Sequence, residues 1–387
     1  MSDVAVKPSY FTVLNREYYV SEGIYALERE HVFRRQWTFA AHGSELQAPG
    51  DFVTVSVHGE SLILVRGDDG EIRGFHNVCR HRGYELCEKA SGKAKRFVCP
   101  YHQWSYARDG SLVRAPGARP GEFFDYGDWG LRPVHVEVWE GFVFVAIGDE
   151  APDPISPQLD RFCGELRAVR PQGLRVAQRD RLRVRTNWKT LLENYLECYH
   201  CQGSHPELCK AISIEGAYEK TSNWSGQYFG GGVPMKRDVL TASMDGQLVS
   251  SPLGDFATMD DIPLGYSAGF GMVPLLTRIL GQVDHVIVQC IRPESVGSTT
   301  WETTWLVRED AVSGVDYDVD ALVDVWRRTN LQDASLVEGA YRGVLSQSFI
   351  PGPLHPEREP AIRAALQEYR RLMDIPEVSP VGSRPAA

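Results

Sequence analysis

Two short stretches constrain this chain more than anything else in it. Cys79-Arg80-His81-Arg82-Gly83 and Cys99-Pro100-Tyr101-His102 each bring one cysteine and one histidine, with Gly83 or Pro100 close by to turn the chain. Ligands delivered as two matching pairs imply two loops closing on one metal centre. Zinc fingers usually pair cysteine with cysteine and histidine with histidine, whereas each loop here supplies one of each. That mixture suits a two-iron cluster in which two thiolates hold one iron and two imidazoles the other. Neutral imidazoles raise the reduction potential into a range useful for passing single electrons. A structural zinc is the plainer alternative for the same four residues.

The remaining composition supports a metal reading. Eight cysteines, at 79, 87, 99, 163, 198, 201, 209 and 290, are spread over 387 residues, which argues against a disulfide framework. Cys87 lies between the pairs without a partner of its own and reads as a bystander. Hydrophobic content of 43% with 24% charge is that of a soluble globular chain, and the length predicts two domains. A formal net charge of −10 with no Lys/Arg stripe speaks against nucleic acid. The first residues carry no basic stretch followed by an apolar one, and no segment approaches the ~18 apolar residues of a membrane span. A cytoplasmic location is the expectation.

Hydrophobic periodicity predicts an amphipathic helix over 22–39, then strands from about 51 to 148, with a hairpin turn at Gly67-Asp68-Asp69-Gly70 and another at Glu140-Gly141. Residues 149–160, rich in Pro and Asp, read as a linker. Beyond it, 186–200 reads as a helix, 285–293 and 299–307 as paired strands, and 319–345 and 360–373 as two late helices. The expected fold is α+β. A small antiparallel β domain (46–150) precedes a catalytic domain (151–375) whose antiparallel sheet is flanked by helices in helix-grip fashion. An N-terminal helical segment (1–45) packs on the second domain, and 376–387 form a mobile tail.

A centre that moves electrons needs a destination, and Asn187 to Glu207 offers one. On a continuous helix Glu193, Glu197 and His200 share one face, and His205 follows where Gly203 and Pro206 end it. Two histidines near a helix end are ordinary packing more often than ligands. With one carboxylate from elsewhere they would make the facial triad of a mononuclear iron(II) oxygenase, which leaves positions open for O2. Asp333 is the favoured carboxylate, with Asp324 and Glu338 close by in sequence.

These residues carry a family resemblance. Cys79-Arg80-His81-Arg82-Gly83 and Cys99-Pro100-Tyr101-His102-Gln103-Trp104-Ser105-Tyr106, with Asp109-Gly110 after them, closely resemble the Rieske [2Fe–2S] domain. Asn187-Trp188-Lys189, Glu193-Asn194, and then Glu197 before Tyr199-His200 and His205 resemble the catalytic domain of the Rieske non-haem iron oxygenases. Together they extend the likeness from about residue 22 to 345. The resemblance implies that Cys79, His81, Cys99 and His102 hold the cluster and that His200, His205 and Asp333 hold iron(II). It implies that Glu197 hydrogen-bonds a cluster histidine of the neighbouring subunit in a homotrimer. Electrons would come from NAD(P)H through a separate flavin and iron–sulfur reductase, with or without a ferredoxin, because no G-x-G-x-x-G follows a strand here.

Most ring-hydroxylating members have aspartate where Glu197 stands. Glutamate there, within Asn194-Tyr195-Leu196-Glu197-Cys198-Tyr199-His200-Cys201 and followed by His205-Pro206-Glu207-Leu208, resembles the branch acting on quaternary ammonium compounds of the glycine betaine, stachydrine or carnitine type. Hydroxylation of an N-methyl group would release formaldehyde. Such a cation needs an aromatic cage, for which Trp224, Tyr228, Phe229, Tyr266 and Phe270 are available, although most aromatics are core. Two readings compete with this one. The first is oxygenation of an aromatic acid, whose carboxylate Arg278 or Arg292 would pair with, and the second is a Rieske electron carrier without oxygenase activity.

Overall fold

The computed structural model describes residues 11–118, 121, 125–215, 224–225, 228–231, 235–262, 270–273 and 276–375. The alternating run Asp51–Val57 and the β-branched run Glu60–Arg66 pair antiparallel, and the turn at Gly67–Gly70 hands the chain on to Ile72–His76. Glu140 and Gly141 both have positive φ, 47° and 86°, the twist that lets a two-residue turn join Pro133–Trp139 to Phe142–Ala146. With Thr38–His42 and Ser91–Lys93 at its ends, this makes one seven-stranded sheet. A three-stranded sheet of Phe97–Val98, Ser105–Tyr106 and Leu112–Arg114 stands beside it.

The helix expected over 22–39 is shorter. It runs from Glu22 to His31, capped by Ser21, and a 3-10 turn at Phe33–Arg35 leads into strand Thr38–His42. Every residue of that strand is buried. Phe39 enters the core cluster that packs against the second domain, while Ala40 and Ala41 enter the core of the first. Burial on both faces overrides the helical period.

A second antiparallel sheet of seven strands runs in the order Leu174–Val184, Ser298–Arg308, Val286–Ser295, Thr277–Gly281, Phe270–Val273, Tyr228–Gly231 and Trp224–Ser225. The expected late helices form at Val319–Val344 and Pro360–Leu372. One face of the sheet, with Ile279, Val286 and Leu306, packs on Phe39, Phe142 and Phe144 of the first domain. The other, with Trp301 and Trp305, is covered by the long helix through Val325, Trp326 and Val337, and by Trp188 and Leu191. Tyr19, Tyr25 and Phe33 of the N-terminal segment join that same core.

A charged knot fixes these helices to one another. Glu28, fully buried, accepts hydrogen bonds from Trp188 Nε1 (2.7 Å) and the Tyr369 hydroxyl (2.6 Å) and is paired with Lys189 Nζ. Removing one partner would strand a buried charge at a cost of about 3–5 kcal/mol. Asn187, Trp188 and Lys189 thereby anchor the start of the helix Trp188–Tyr195, whose far end leads into the candidate site.

Candidate metal centres

The two Cys/His loops repeat one backbone design. Cys79 N–H donates to Tyr84 O (2.8 Å) and Gly83 N–H to Cys79 O (2.9 Å); Cys99 N–H donates to Trp104 O (2.8 Å) and Gln103 N–H to Cys99 O (2.9 Å). The fifth residue of each loop has positive φ, 76° at Gly83 and 61° at Gln103, which glycine adopts freely and glutamine does not. Both cysteines are buried, whereas His81 is exposed and His102 half-buried. The imidazoles meet edge to face with centroids 4.5 Å apart, and His81 stacks on Trp104 at 4.8 Å. Burial pushes the Cys99 thiol up, with the Cys79 sulfur beside it, while the N–H groups of Tyr101 and His102 pull the other way. Two thiols inside and two imidazoles at the rim form a donor set that fits a two-iron cluster. Cys87 stands apart, its N–H donated to Asn77 and its thiol pushed up to about 11 by burial.

The second constellation also comes together, though not on one helix. The helix ends at Tyr195 because Glu197 folds back and its Oε2 accepts the N–H groups of Tyr199 and His200, replacing the next helical turn. Glu193 therefore does not share a face with Glu197 and His200. It turns to the N-terminal segment, where, half-buried, it accepts the Tyr19 hydroxyl at 2.5 Å. His200 and His205 bracket a short helix, Cys201–Ser204.

Between them His200 Nε2, His205 Nε2 and Asp333 Oδ1 form a nearly equilateral triangle, with sides of 3.1, 3.1 and 3.0 Å. Three bonds of about 2.1 Å meeting at right angles put their donors about 3.0 Å apart, which is the facial arrangement. The opposite ring nitrogens are each occupied. His200 donates through Nδ1 to Glu197 Oε1, and His205 through Nδ1 to Gln332 Oε1 at 2.8 Å. Both Nε2 atoms are thus the ones left to a metal, and without one they carry protons towards Asp333 Oδ1. Asn194 Nδ2 donates to Asp333 Oδ1 at 2.8 Å.

Burial alone would raise the Asp333 carboxyl, yet the hydrogen bonds from His200 and His205 hold it down at about 2. Burial disfavours a charged His200, but Asp333 and Glu197 outweigh it and raise its pKa to about 10. Two carboxylates and two imidazoles so arranged call for a cation, and a divalent metal meets that demand as a proton does. Cys201 also brings its sulfur within 4.8 Å of the imidazole nitrogens, but a hydrogen bond with Cys198, together with burial, pushes its pKa up and keeps it a thiol. The ionised oxygen of Asp333 is the better donor for iron(II). Asp324 and Glu338 turn away to Arg328 and Arg185.

Of the remaining candidates, Arg292 is buried and spent on Glu302 (2.7 Å) and Phe39 O (3.1 Å). Arg278 belongs to a row of cross-strand partners that the sequence did not reveal: Asp180, Thr303, Gln289, Arg278 and Met272. The long helix is fastened along this row. Arg327 donates to Asp180 (2.8 Å), Asn330 to Thr303 (3.0 Å), and Gln289 to Asn330 (3.0 Å), while Trp326 lies 5.6 Å from the Arg278 guanidinium. Polar residues alternating within otherwise apolar strands were the available signal. Trp224, Tyr228, Phe229 and Phe270 lie on the outer strands of the sheet, and Tyr266 lies outside the described residues.

Comparison with known proteins agrees with this geometry. The family of ring-hydroxylating alpha subunits (catalytic domain) matches residues 171–375, and the Rieske [2Fe-2S] domain matches residues 36–137. The glycine betaine monooxygenase oxygenase subunit of Chromohalobacter salexigens is 35% identical over 371 residues, 88% of this chain and 81% of that protein. Its counterpart from Pseudomonas aeruginosa is 33% identical over 368 residues, 88% and 84% of the two. The quaternary ammonium Rieske monooxygenase CntA in complex with L-carnitine has the same fold, with a TM-score of 0.76 at 24% identity over 95% of this chain and 97% of that one.

The fold and its two centres define an oxygenase of the Rieske type. The chain belongs to the family of ring-hydroxylating oxygenase alpha subunits. Its cofactors are a Rieske [2Fe–2S] cluster and a mononuclear iron, and it acts on a small molecule. Among the described residues no helix is long and apolar enough to cross a membrane.

Proposed function

We propose that this protein is the terminal oxygenase that hydroxylates or N-demethylates a quaternary ammonium compound of the betaine type. The observation that carries the reading is the triangle of His200, His205 and Asp333 with Glu197 on the outer nitrogen of His200. Glutamate in that place, and relatives that are glycine betaine monooxygenase oxygenase subunits, support the ammonium substrate.

In this reading Cys79, Cys99, His81 and His102 hold the cluster, and His200, His205 and Asp333 hold iron. Bound there, the two groups supply single electrons and the activation of O2. The protein does the rest. Glu197 keeps the Nδ1 proton on His200 and stands ready to accept a hydrogen bond from a cluster imidazole of a second copy. The exposed rim of His81 and His102 suits that contact, so the assembly is a homotrimer in which each cluster serves its neighbour. Electrons come from a separate reductase, and the protein resides in the cytoplasm, where its eight thiols stay reduced. The domain limits are those drawn from the sequence, 1–45, 46–150, 151–375 and 376–387, except that strand Thr38–His42 belongs with the first domain's sheet.

Oxygen inserted into an N-methyl C–H bond gives an N-hydroxymethyl ammonium. Its C–N bond then breaks, with loss of the hydroxyl proton, to give formaldehyde and the demethylated amine. The test is O2 uptake and formaldehyde release by the metal-loaded protein with a surrogate reductase, across betaines, choline, carnitine and aromatic acids. Formaldehyde in step with O2 supports the reading. Uptake with an aromatic acid and no formaldehyde replaces it with ring oxygenation.

A further inference from the structure

Gln289 is a polar residue in strand Val286–Ser295, whose first eight residues are all buried. Its side chain stands where the two helices that lead to the triad come together. Oε1 accepts the hydroxyl of Tyr195, the last residue of helix Trp188–Tyr195, at 3.3 Å. Nε2 donates to Asn330 Oδ1, on helix Val319–Val344, at 3.0 Å. The residues nearer the site close the figure. Asn194, which precedes Tyr195, donates to Asp333 at 2.8 Å, and Asp333 lies one helical turn beyond Asn330 on the same side of its helix. The two helices are therefore pinned twice, directly through Asn194 and Asp333 and, one step behind, through Gln289.

The polarity of this link is fixed from the sheet. A guanidinium can only donate, and Arg278, a direct cross-strand partner of Gln289, donates to Oε1 from Nε at 3.1 Å and also from Nη2. Oε1 is thereby committed to Arg278 and Tyr195, and Nε2 to Asn330. Asn330 in turn accepts with Oδ1 and donates through Nδ2 to Thr303 at 3.0 Å, and Thr303 is the cross-strand partner of Gln289 on its other side. Three neighbouring strands thus dictate one orientation for two buried amides. An apolar residue would suit an all-buried strand, whereas an amide there depends on every partner it has. What the amide adds is a fixed rotation of helix Val319–Val344 about its axis. A side chain reaches roughly 6 Å from a helix axis, so a rotation of about 10° moves its tip by about 1 Å, more than the ~0.5 Å within which a metal constellation has to be held.

We infer that Gln289 is a positioning residue of the mononuclear site. It acts through Tyr195 and Asn330, holding the helix that leads to His200 and the helix that bears Asp333 at one spacing and one rotation. The inference rests on the assignment of iron to His200, His205 and Asp333 above and extends that site to the sheet beneath it. Asp333 Oδ1 keeps its place in the triangle because the turn before it is tied to the sheet, and the sheet is tied to the end of the other helix.

The experiment measures iron(II) affinity of the cluster-loaded protein, stripped of its mononuclear iron and titrated against a chelating competitor. The EPR signal of the iron with nitric oxide added as a probe reads the ligand geometry. Gln289→Leu should weaken iron binding by about 10-fold, the low end of what outer partners of metal ligands contribute, and should alter the nitric oxide signal while the cluster spectrum stays as in wild type. Tyr195→Phe, which keeps the ring and removes one of the two grips, should move both readings in the same direction by less. Gln289→Glu keeps an acceptor for Arg278 and Tyr195 and offers its second oxygen to a turned Asn330 amide, so it should bind iron more tightly than Gln289→Leu. A purely structural residue would lower the denaturation midpoint and leave affinity and signal unchanged, and that outcome in Gln289→Leu overturns the inference. Should Gln289→Leu not fold, wild-type affinity and signal in Tyr195→Phe overturn it instead. His200→Ala separates the two claims. Iron bound by that variant as tightly as by wild type removes the triad and the clamp with it, whereas iron lost in His200→Ala but bound normally in Gln289→Leu removes the clamp alone.

Discussion

Gln332 presents its amide oxygen to His205 Nδ1 at 2.8 Å, while its neighbour in sequence, Asp333, presents a carboxylate oxygen to the other nitrogen of the same ring at 3.0 Å. Two consecutive residues of one helix thus grip both edges of one imidazole. The grip is held from outside, because Gln332 Nε2 donates to Glu207 at 3.1 Å. With Nδ1 obliged to carry a proton, Nε2 is the nitrogen left to bind a metal. Gln332→Ala frees the ring to rotate and to change tautomer, and should weaken iron(II) binding by about 10- to 100-fold while leaving the cluster spectrum untouched. Gln332→Glu still accepts that proton but sets a second carboxylate against Glu207, so it should recover only part of the affinity. Equal iron affinity in wild type and Gln332→Ala would remove the orienting role.

Glu197 serves the other ring, but with a carboxylate rather than an amide. The amide oxygen of Glu197→Gln can still accept from His200 Nδ1, with its NH2 now against the Tyr199 and His200 N–H groups, so the cluster should load normally and the iron(II) site somewhat less tightly. The charge that, in the proposed trimer, would favour the hydrogen bond from a neighbour's cluster imidazole is gone, and turnover should fall by about 100-fold or more. Metal content and single-turnover electron transfer to the iron separate the two effects. Full turnover with Gln at 197 is incompatible with a bridge.

What the sequence disclosed and what it hid follow from how local each signal is. Cys79, His81, Cys99 and His102 sit on loops whose hydrogen bonds close within six residues, so spacing alone outlines the centre. His200 and His205 are likewise near each other in the chain. Asp333 was reachable only by resemblance, since its 128-residue separation from His205 leaves no local trace. The helix over 186–200 was misjudged beyond Tyr195 because Glu197 caps amides with its side chain, a competition that helical periodicity does not register. The helix over 22–39 failed where strand Thr38–His42 is buried on both faces, a tertiary effect. Gln332 became visible only once helix Val319–Val344 was placed against His205, and the row through Arg278 only once strand register was known.

Tyr106 acts on the cluster from inside. It is fully buried, its hydroxyl accepts the Arg80 N–H at 3.0 Å, and that orientation points its own proton at Cys79 Sγ, 3.3 Å away. A donor to a thiolate stabilises the reduced, more negative cluster more than the oxidised one. Loss of one hydrogen bond of about 0.5–1.5 kcal/mol corresponds to about 20–65 mV for a one-electron couple. Tyr106→Phe should therefore lower the cluster potential by that amount with little change of fold. Spectroelectrochemical titration reads it directly, and a potential equal to wild type would show that the hydroxyl proton points elsewhere.

Glu193 is the acid that the pattern placed beside the triad and that the fold turns to Tyr19 instead. Burial raises its carboxyl to about 7, against the lowering effects of the Tyr19 hydroxyl and Lys189. Its unfolded value is near 4.5, so between about pH 4.5 and pH 7 the native protein holds a proton that the unfolded chain has released. The unfolded state then binds fewer protons, and the sign is fixed: stability falls as pH rises through that window and levels off above it. Two and a half pH units at about 1.4 kcal/mol each set a ceiling of about 3.5 kcal/mol, reduced by any relaxation around the ionised group. Glu193→Gln keeps an oxygen for the Tyr19 hydroxyl and removes the titration. The stability difference between variant and wild type, measured by chemical denaturation at pH 5 and pH 8, should shift towards the variant by about 2 kcal/mol at the higher pH. A difference that does not change with pH would mean that Glu193 is already ionised at pH 5, with Lys189 rather than a proton balancing it.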